Sequence, residues 1–137
     1  ATDNRIVFLP YLSGERTPHN DAAASGVFFG LSSPTSRADL ARAVMEGVAF
    51  AMADGLDALE AGGRRIDRLL AIGGGARSEI WLRILASALD RTLITVQGGV
   101  DPGFARRYGA KQHEMDQREE RDRIGELMQL AQAAPSA

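Results

Sequence analysis

The sequence predicts an α/β fold with a mostly parallel sheet. Two segments carry apolar residues at helical spacing, short β-branched runs flank them, and glycines punctuate the joints. From residue 27 onward the order is strand, helix, strand, helix, strand, the pattern of crossover units. The 137 residues suffice for one compact domain.

"RIVFLPYL", residues 5–12, reads as a buried strand whose end Pro10 marks. It starts almost at the terminus, with no cap or initiating Met. An ordinary N-terminal strand and a chain entered partway through a fold both account for that. Residues 13–26 are rich in Gly, Pro, Asn, Asp and Ser and read as a loop, followed by a short apolar stretch, "VFFGL", at 27–31, that reads as a strand or a buried extended segment. A long amphipathic helix comes next. Ser36 and Asp39 form a capping-box pair, and Leu40, Val44, Val48, Ala51, Leu56 and Leu59 make the expected buried stripe. Gly47 and Gly55 sit beside it, where close packing is expected to offset their low helix propensity. Gly62 and Gly63 stop the helix with positive φ.

"RIDRLLAI", residues 65–72, reads as a strand and Gly73, Gly74 and Gly75 as a turn. A second helix at 79–89 has Ser78 as its N-cap and Ile80, Trp81, Ile84, Leu85 and Ala88 as its stripe. "TLITV", residues 92–96, is a strand closed by Gly98 and Gly99. Beyond residue 104 the composition turns to mixed charge. Residues 105–137 form a separate tail, read as helical or disordered, with Ile124, Leu127, Met128 and Ala131 as a short amphipathic end.

Composition narrows the function. The formal net charge of −2 gives no electrostatic reason to expect nucleic acid or an acidic membrane as partner. There is no cysteine, so disulfide and thiolate chemistry are excluded. No signal-peptide pattern or membrane-spanning apolar run is found, and the cytoplasm is the expected compartment.

The chemistry concentrates at "GGGARS". A strand running through glycines into a helix start offers unpaired backbone N–H groups and the positive end of a helix dipole, which suits an anion. The segment is neither a G-x-G-x-x-G nor a Walker A sequence. On these residues alone a tight turn and a phosphate-holding turn both stand. His19 and His113 lack partners at metal-ligand spacing and read as surface residues. Glu15 and Arg16 could pair with a substrate or with each other, while Glu46 and Asp54 read as structural hydrogen-bonding groups.

Three stretches together resemble the C-terminal lobe of the FGGY carbohydrate kinases. "GVFFGLSSPTSRADLARAVMEGVAF", residues 26–50, is similar to the family signature through Gly26, Phe28, Gly30, Leu31, Asp39, Leu40 and the run from Ala43 to Glu46. "FLPYLSGERTPHND", residues 8–21, resembles the xylulose kinases of that family, with gluconate kinases next. "GGGARSEIWLRILASALDR", residues 73–91, resembles the adenosine-binding segment. The likeness covers residues 5–99 and, as a lobe, residues 1–104.

The resemblance implies an actin-like, ribonuclease-H-like fold of two lobes with ATP and Mg²⁺ in the cleft between them. The sugar would sit mainly on the N-terminal lobe, where an aspartate would act as general base on the sugar hydroxyl that attacks the γ-phosphoryl group. Xylulose 5-phosphate is the product for a xylulose kinase. Catalysis of this kind rests on positioning and charge neutralisation. The implied nucleotide contacts are Gly73, Gly74, Gly75, Ala76, Arg77 and Ser78, with Arg77 or Ser78 bordering base or ribose. The loop at 13–21 would face the cleft or the other lobe, which is the expected partner beside the nucleotide and the sugar, and self-association is also open. No catalytic or metal-ligating residue is assigned in this chain. One departure stands out: the family follows the glycines near position 99 with a small-residue, helix-opening segment, and this chain has "VDPGFARRYGAKQHEMDQ".

Overall fold

A computed structural model of the chain describes residues 6–95 and a short strand at 98–100. The charged tail and His113 lie outside the described residues. Strand β1 (Val7–Leu9) pairs antiparallel with β2 (Val27–Phe29), Val7 opposite Phe29 and Leu9 opposite Val27. Helix α1 (Arg37–Glu60) follows, then β3 (Arg68–Leu70), a single 3-10 turn (Gly74–Arg77), α2 (Glu79–Leu89), β4 (Thr92–Thr95) and β5 (Gly98–Val100). The second sheet runs β3-β4-β5, with β3 parallel to β4 and β5 antiparallel to it.

The α/β class holds, but the mostly parallel sheet does not. Of the strand pairs among the described residues only β3 and β4 are parallel, joined by a crossover through α2. β1 and β2 are joined by a loop without a helix. Two residues separate β4 from β5, which forces a hairpin. Gly98 and Gly99 therefore belong to a strand instead of closing one.

Helix α1 starts as expected. Ser36 Oγ accepts the Asp39 N–H at 3.2 Å and the Asp39 carboxylate accepts the Ser36 N–H at 2.8 Å, a complete capping box. At the far end Gly63 has φ +89°, and its N–H donates to Glu60 O at 2.8 Å; Gly62 stays at negative φ.

The buried face of α1 differs from the expected stripe. Ala43, Gly47, Ala49, Phe50, Ala53 and Leu56 are buried, whereas Val44, Met52 and Leu59 are 36, 48 and 72% exposed. Four of the six buried residues are Ala or Gly, because α1 is approached closely by two elements. Its first half lies against β1, where a Cβ on Gly47 would collide with the backbone carbonyl of Phe8. Its second half, through Ala49, Ala53 and Leu56, packs on Leu82, Leu85, Ala86 and Leu89 of α2 and on Leu93 of β4. Gly55 has no neighbour within 4 Å of an added Cβ, so close packing does not explain it. Ile80, expected in the α2 stripe, is 63% exposed, while Trp81, Ile84 and Ala88 pack on the core from its edge.

Candidate functional site: the glycine turn at the start of α2

Strand β3 delivers the turn. Leu69 points to the core, and the Ala71 N–H reaches Ile94 O at 2.8 Å, extending the parallel pairing to the brink of the glycines. Gly73 then takes φ +91° and ψ −173°, a region essentially reserved for glycine. The chain reverses there into the 3-10 turn. The Ala76 N–H bonds Gly73 O at 3.2 Å and the Ser78 N–H bonds Gly75 O at 3.0 Å. Ser78, with extended backbone, caps α2: its Oγ accepts the Trp81 N–H at 3.3 Å and its carbonyl accepts Leu82 N–H at 3.0 Å.

Gly73, Gly74, Gly75, Ala76, Arg77 and Ser78 are thus one continuous surface feature, and all but Ala76 are exposed. A Cβ added at Gly73 or Gly74 would meet nothing within 4 Å. The bare backbone is open to a ligand at the positive end of the α2 dipole. Glu79 in the first helical turn is paired with Arg83 one turn later, which moderates its opposition to an incoming anion. Arg77 is exposed and has no ion pair among the described residues, so its guanidinium is free to meet a phosphate or a ring. These features fit the anionic and planar parts of a nucleotide.

Gly75 holds the feature that spacing could not reveal. A Cβ there would stand 3.2 Å from Cδ1 and Nε1 of Trp81, so the edge of the indole lies against the turn.

The loop at 13–26 is organised around Glu15. Its carboxylate accepts the backbone N–H groups of His19 at 2.7 Å and Asn20 at 3.1 Å, and Glu15 and Asp21 form a β-bridge. Glu15 is therefore an internal cap and not the partner of Arg16, which is exposed. His19 is half-buried, edge-on to Tyr11 at 5.9 Å between ring centroids, with Nε2 buried and without a hydrogen bond. The surface reading of His19 gives way to packing. Tyr11 itself is pushed up to about 12, first by burial and then by the Asp54 and Glu15 carboxylates. Glu46 pairs with Arg42 at 2.7 Å, in keeping with a structural role. The loop rides on the β1–β2 sheet, and the glycine turn on the other one.

Among the described residues no group of three or more His, Cys, Asp or Glu could hold a metal ion, and no helix is long and apolar enough to cross a membrane.

Comparison with known proteins agrees with this picture. A sequence profile of the C-terminal domain of the FGGY family of carbohydrate kinases matches residues 1–104. The xylulose kinase of Escherichia coli K12 is 53% identical over 94 residues, which are 69% of this chain and 19% of that protein. The chain thus spans about a fifth of the length of such relatives. A Brucella ovis crystal structure described as a xyloylose kinase superposes with a TM-score of 0.78 at 34% identity, over 93% of this chain and 32% of that one. A gluconate kinase from Lactobacillus acidophilus superposes with a TM-score of 0.60 at 26% identity, over 91% and 29% of the two chains. The fold is the C-terminal lobe of the actin-like sugar kinases. A signature helix, a glycine turn delivered by a parallel strand, and a matching profile have one explanation: the chain belongs to the FGGY family of carbohydrate kinases, as its C-terminal domain.

Proposed function

We propose that this chain is the nucleotide-binding lobe of an ATP-dependent sugar kinase of xylulose-kinase type, which converts ATP and D-xylulose to ADP and xylulose 5-phosphate. Membership of a sugar-kinase family implies use of ATP. The observation that carries the assignment to this lobe is the bare, exposed backbone of the turn at 73–77 leading into α2. Gly73, Gly74 and Gly75 let the adenosine and phosphates approach the main chain. Ala76, Arg77 and Ser78 border them, with Arg77 supplying charge.

Mg²⁺ travels with the ATP phosphates, and no residue of this lobe is proposed as its ligand. A second lobe brings the sugar and the aspartate that takes the proton of its attacking hydroxyl, so neither role falls to a residue named here. The two lobes meet around the nucleotide, and closure excludes water from the transfer. The working compartment in this reading is the cytoplasm. Residues 1–104 are the lobe, and 105–137 a tail outside it.

Calorimetry with ATP and ADP tests the nucleotide reading. Binding at millimolar concentration or tighter is expected, weakened at least tenfold by Gly74→Asp, which puts a carboxylate where the phosphates approach. No binding to the wild-type chain would favour a scaffold that kept the lobe and lost its ligand; the altered sequence after Gly99 is the feature on that side. The purified chain alone should not phosphorylate xylulose, and turnover above background would overturn the two-lobe division of labour. The likeness to a gluconate kinase keeps gluconate as the second sugar to assay beside xylulose.

A further inference from the structure

We infer that Trp81 is the positioning residue of the glycine turn: its indole edge, anchored in the core between α1 and α2, holds Gly75 and through it the shape of residues 73–78. The consequence for nucleotide affinity rests on the reading above; the structural claim does not.

Three observations carry it. First, the contact is one-sided. Gly73 and Gly74 have open space where a side chain would stand, and Trp81 is the neighbour that a Cβ on Gly75 would meet. Second, the residue is anchored. Trp81 is half-buried and its side chain packs on the cluster of Ala53, Leu56, Leu82, Leu85 and Leu93, while its backbone N–H donates to Ser78 Oγ and fixes the start of the helix that carries it. Third, the turn has few restraints of its own. Two backbone bonds, Ala76 to Gly73 and Ser78 to Gly75, span it, and three successive glycines lose more conformational freedom on ordering than any other triplet. A backbone that must present its N–H groups in one geometry binds better when that ordering precedes the ligand. The indole supplies the order. A methyl at position 75 would be crowded by the same contact, and the ring would have to give way slightly to admit it.

Amide hydrogen exchange across the folded chain tests the idea, with ADP titration as the second arm. Trp81→Ala should speed exchange of the amides at 74–78 about tenfold and raise the dissociation constant for ADP severalfold, while amides of β4 keep their protection. Trp81→Phe should recover part of both, and Gly75→Ala, which keeps the indole but crowds it, should reproduce the local effect in a chain with its core intact. Leu82→Ala is the control, because it opens the same core without contacting the glycines through its side chain. Unchanged turn exchange in Trp81→Ala, or an equal rise in Leu82→Ala, overturns the inference. If Trp81→Ala does not fold, Gly75→Ala and Trp81→Phe decide it by the same criterion. If the wild-type chain binds no ADP, the nucleotide reading falls and the exchange arm still decides the role of Trp81.

Discussion

Arg91 is the buried charge of the described core, 8% exposed, and every nitrogen of its guanidinium is engaged. Nε donates to Ile66 O at 2.8 Å, Nη1 to Asp90 O at 2.9 Å and to Leu89 O at 3.3 Å, and Nη2 to Glu60 Oε2 at 2.7 Å. The other Glu60 oxygen accepts the Ile66 N–H at 2.7 Å. One side-chain pair thereby ties the end of α1, the approach to β3 and the joint between α2 and β4. Glu60 is held below its ordinary value, first by the Ile66 N–H and then by Arg91, against the opposing effect of desolvation. A lowered native value means that the unfolded chain binds the proton more tightly, so this contribution is complete above the ordinary carboxylate range, about 4.3, and is lost as pH falls below it. Tyr11 works at the other end of the scale. Its raised value keeps it neutral in the fold while the unfolded chain ionises, so its contribution is lost between about 10, the ordinary tyrosine value, and about 12. Denaturant midpoints measured against pH should therefore fall at both extremes. Glu60→Gln should flatten the acid limb and Tyr11→Phe the alkaline one, each leaving the other limb in place.

At the scale of elements, α1 shows how two glycines of one helix can differ. Gly47 is where β1 crosses the helix, and Ala there must displace the Phe8 carbonyl. Gly47→Ala should lower the unfolding free energy by roughly 1–3 kcal/mol, the range for overpacking, despite the better helix propensity of Ala. Gly55 faces open space, so Gly55→Ala should raise it by up to about 1 kcal/mol. Chemical denaturation of the two variants beside wild type reads both signs. The capping box, the stop at Gly63 and the Ser78 cap were legible in the sequence because each is settled within a few neighbouring residues. The inward face of α1 was not. Hydrophobicity alone favours Val44 and Leu59, whereas the approach of β1 and α2 selects Ala and Gly, and that approach is set by residues far along the chain. The Glu60–Arg91 pair spans 31 positions and leaves no periodic trace. The six residues of the glycine turn were legible as a unit from the strand-glycine-helix order. The hold of Trp81 on Gly75 was not, because a stripe at helical spacing says only that an indole is inward and not which backbone it meets.

For the molecule as a whole, the two sheets and the α1–α2 layer meet in three adjoining clusters of buried residues, and α1 contributes to all of them. The lobe is therefore strung along one helix. That is also why the family signature sits on it: the stretch from Gly26 to Phe50 carries β2, the capping box and the residues that receive β1. Val44, Met52 and Leu59 on its outer side, with Leu70 and Ile72 beside the glycine turn, leave apolar surface open among the described residues.

Strand β2 has a further effect, on handling the protein in solution. Val27, Phe28 and Phe29 are each about two-fifths exposed, three apolar side chains in a row. Such a partly exposed apolar patch lends itself to association between molecules. The purified chain should scatter light increasingly with concentration and time. A charge in that patch, Val27→Lys, should raise the concentration at which solutions stay clear without changing the circular dichroism of the fold. Equal turbidity in the two proteins would show that this apolar patch is not what limits solubility.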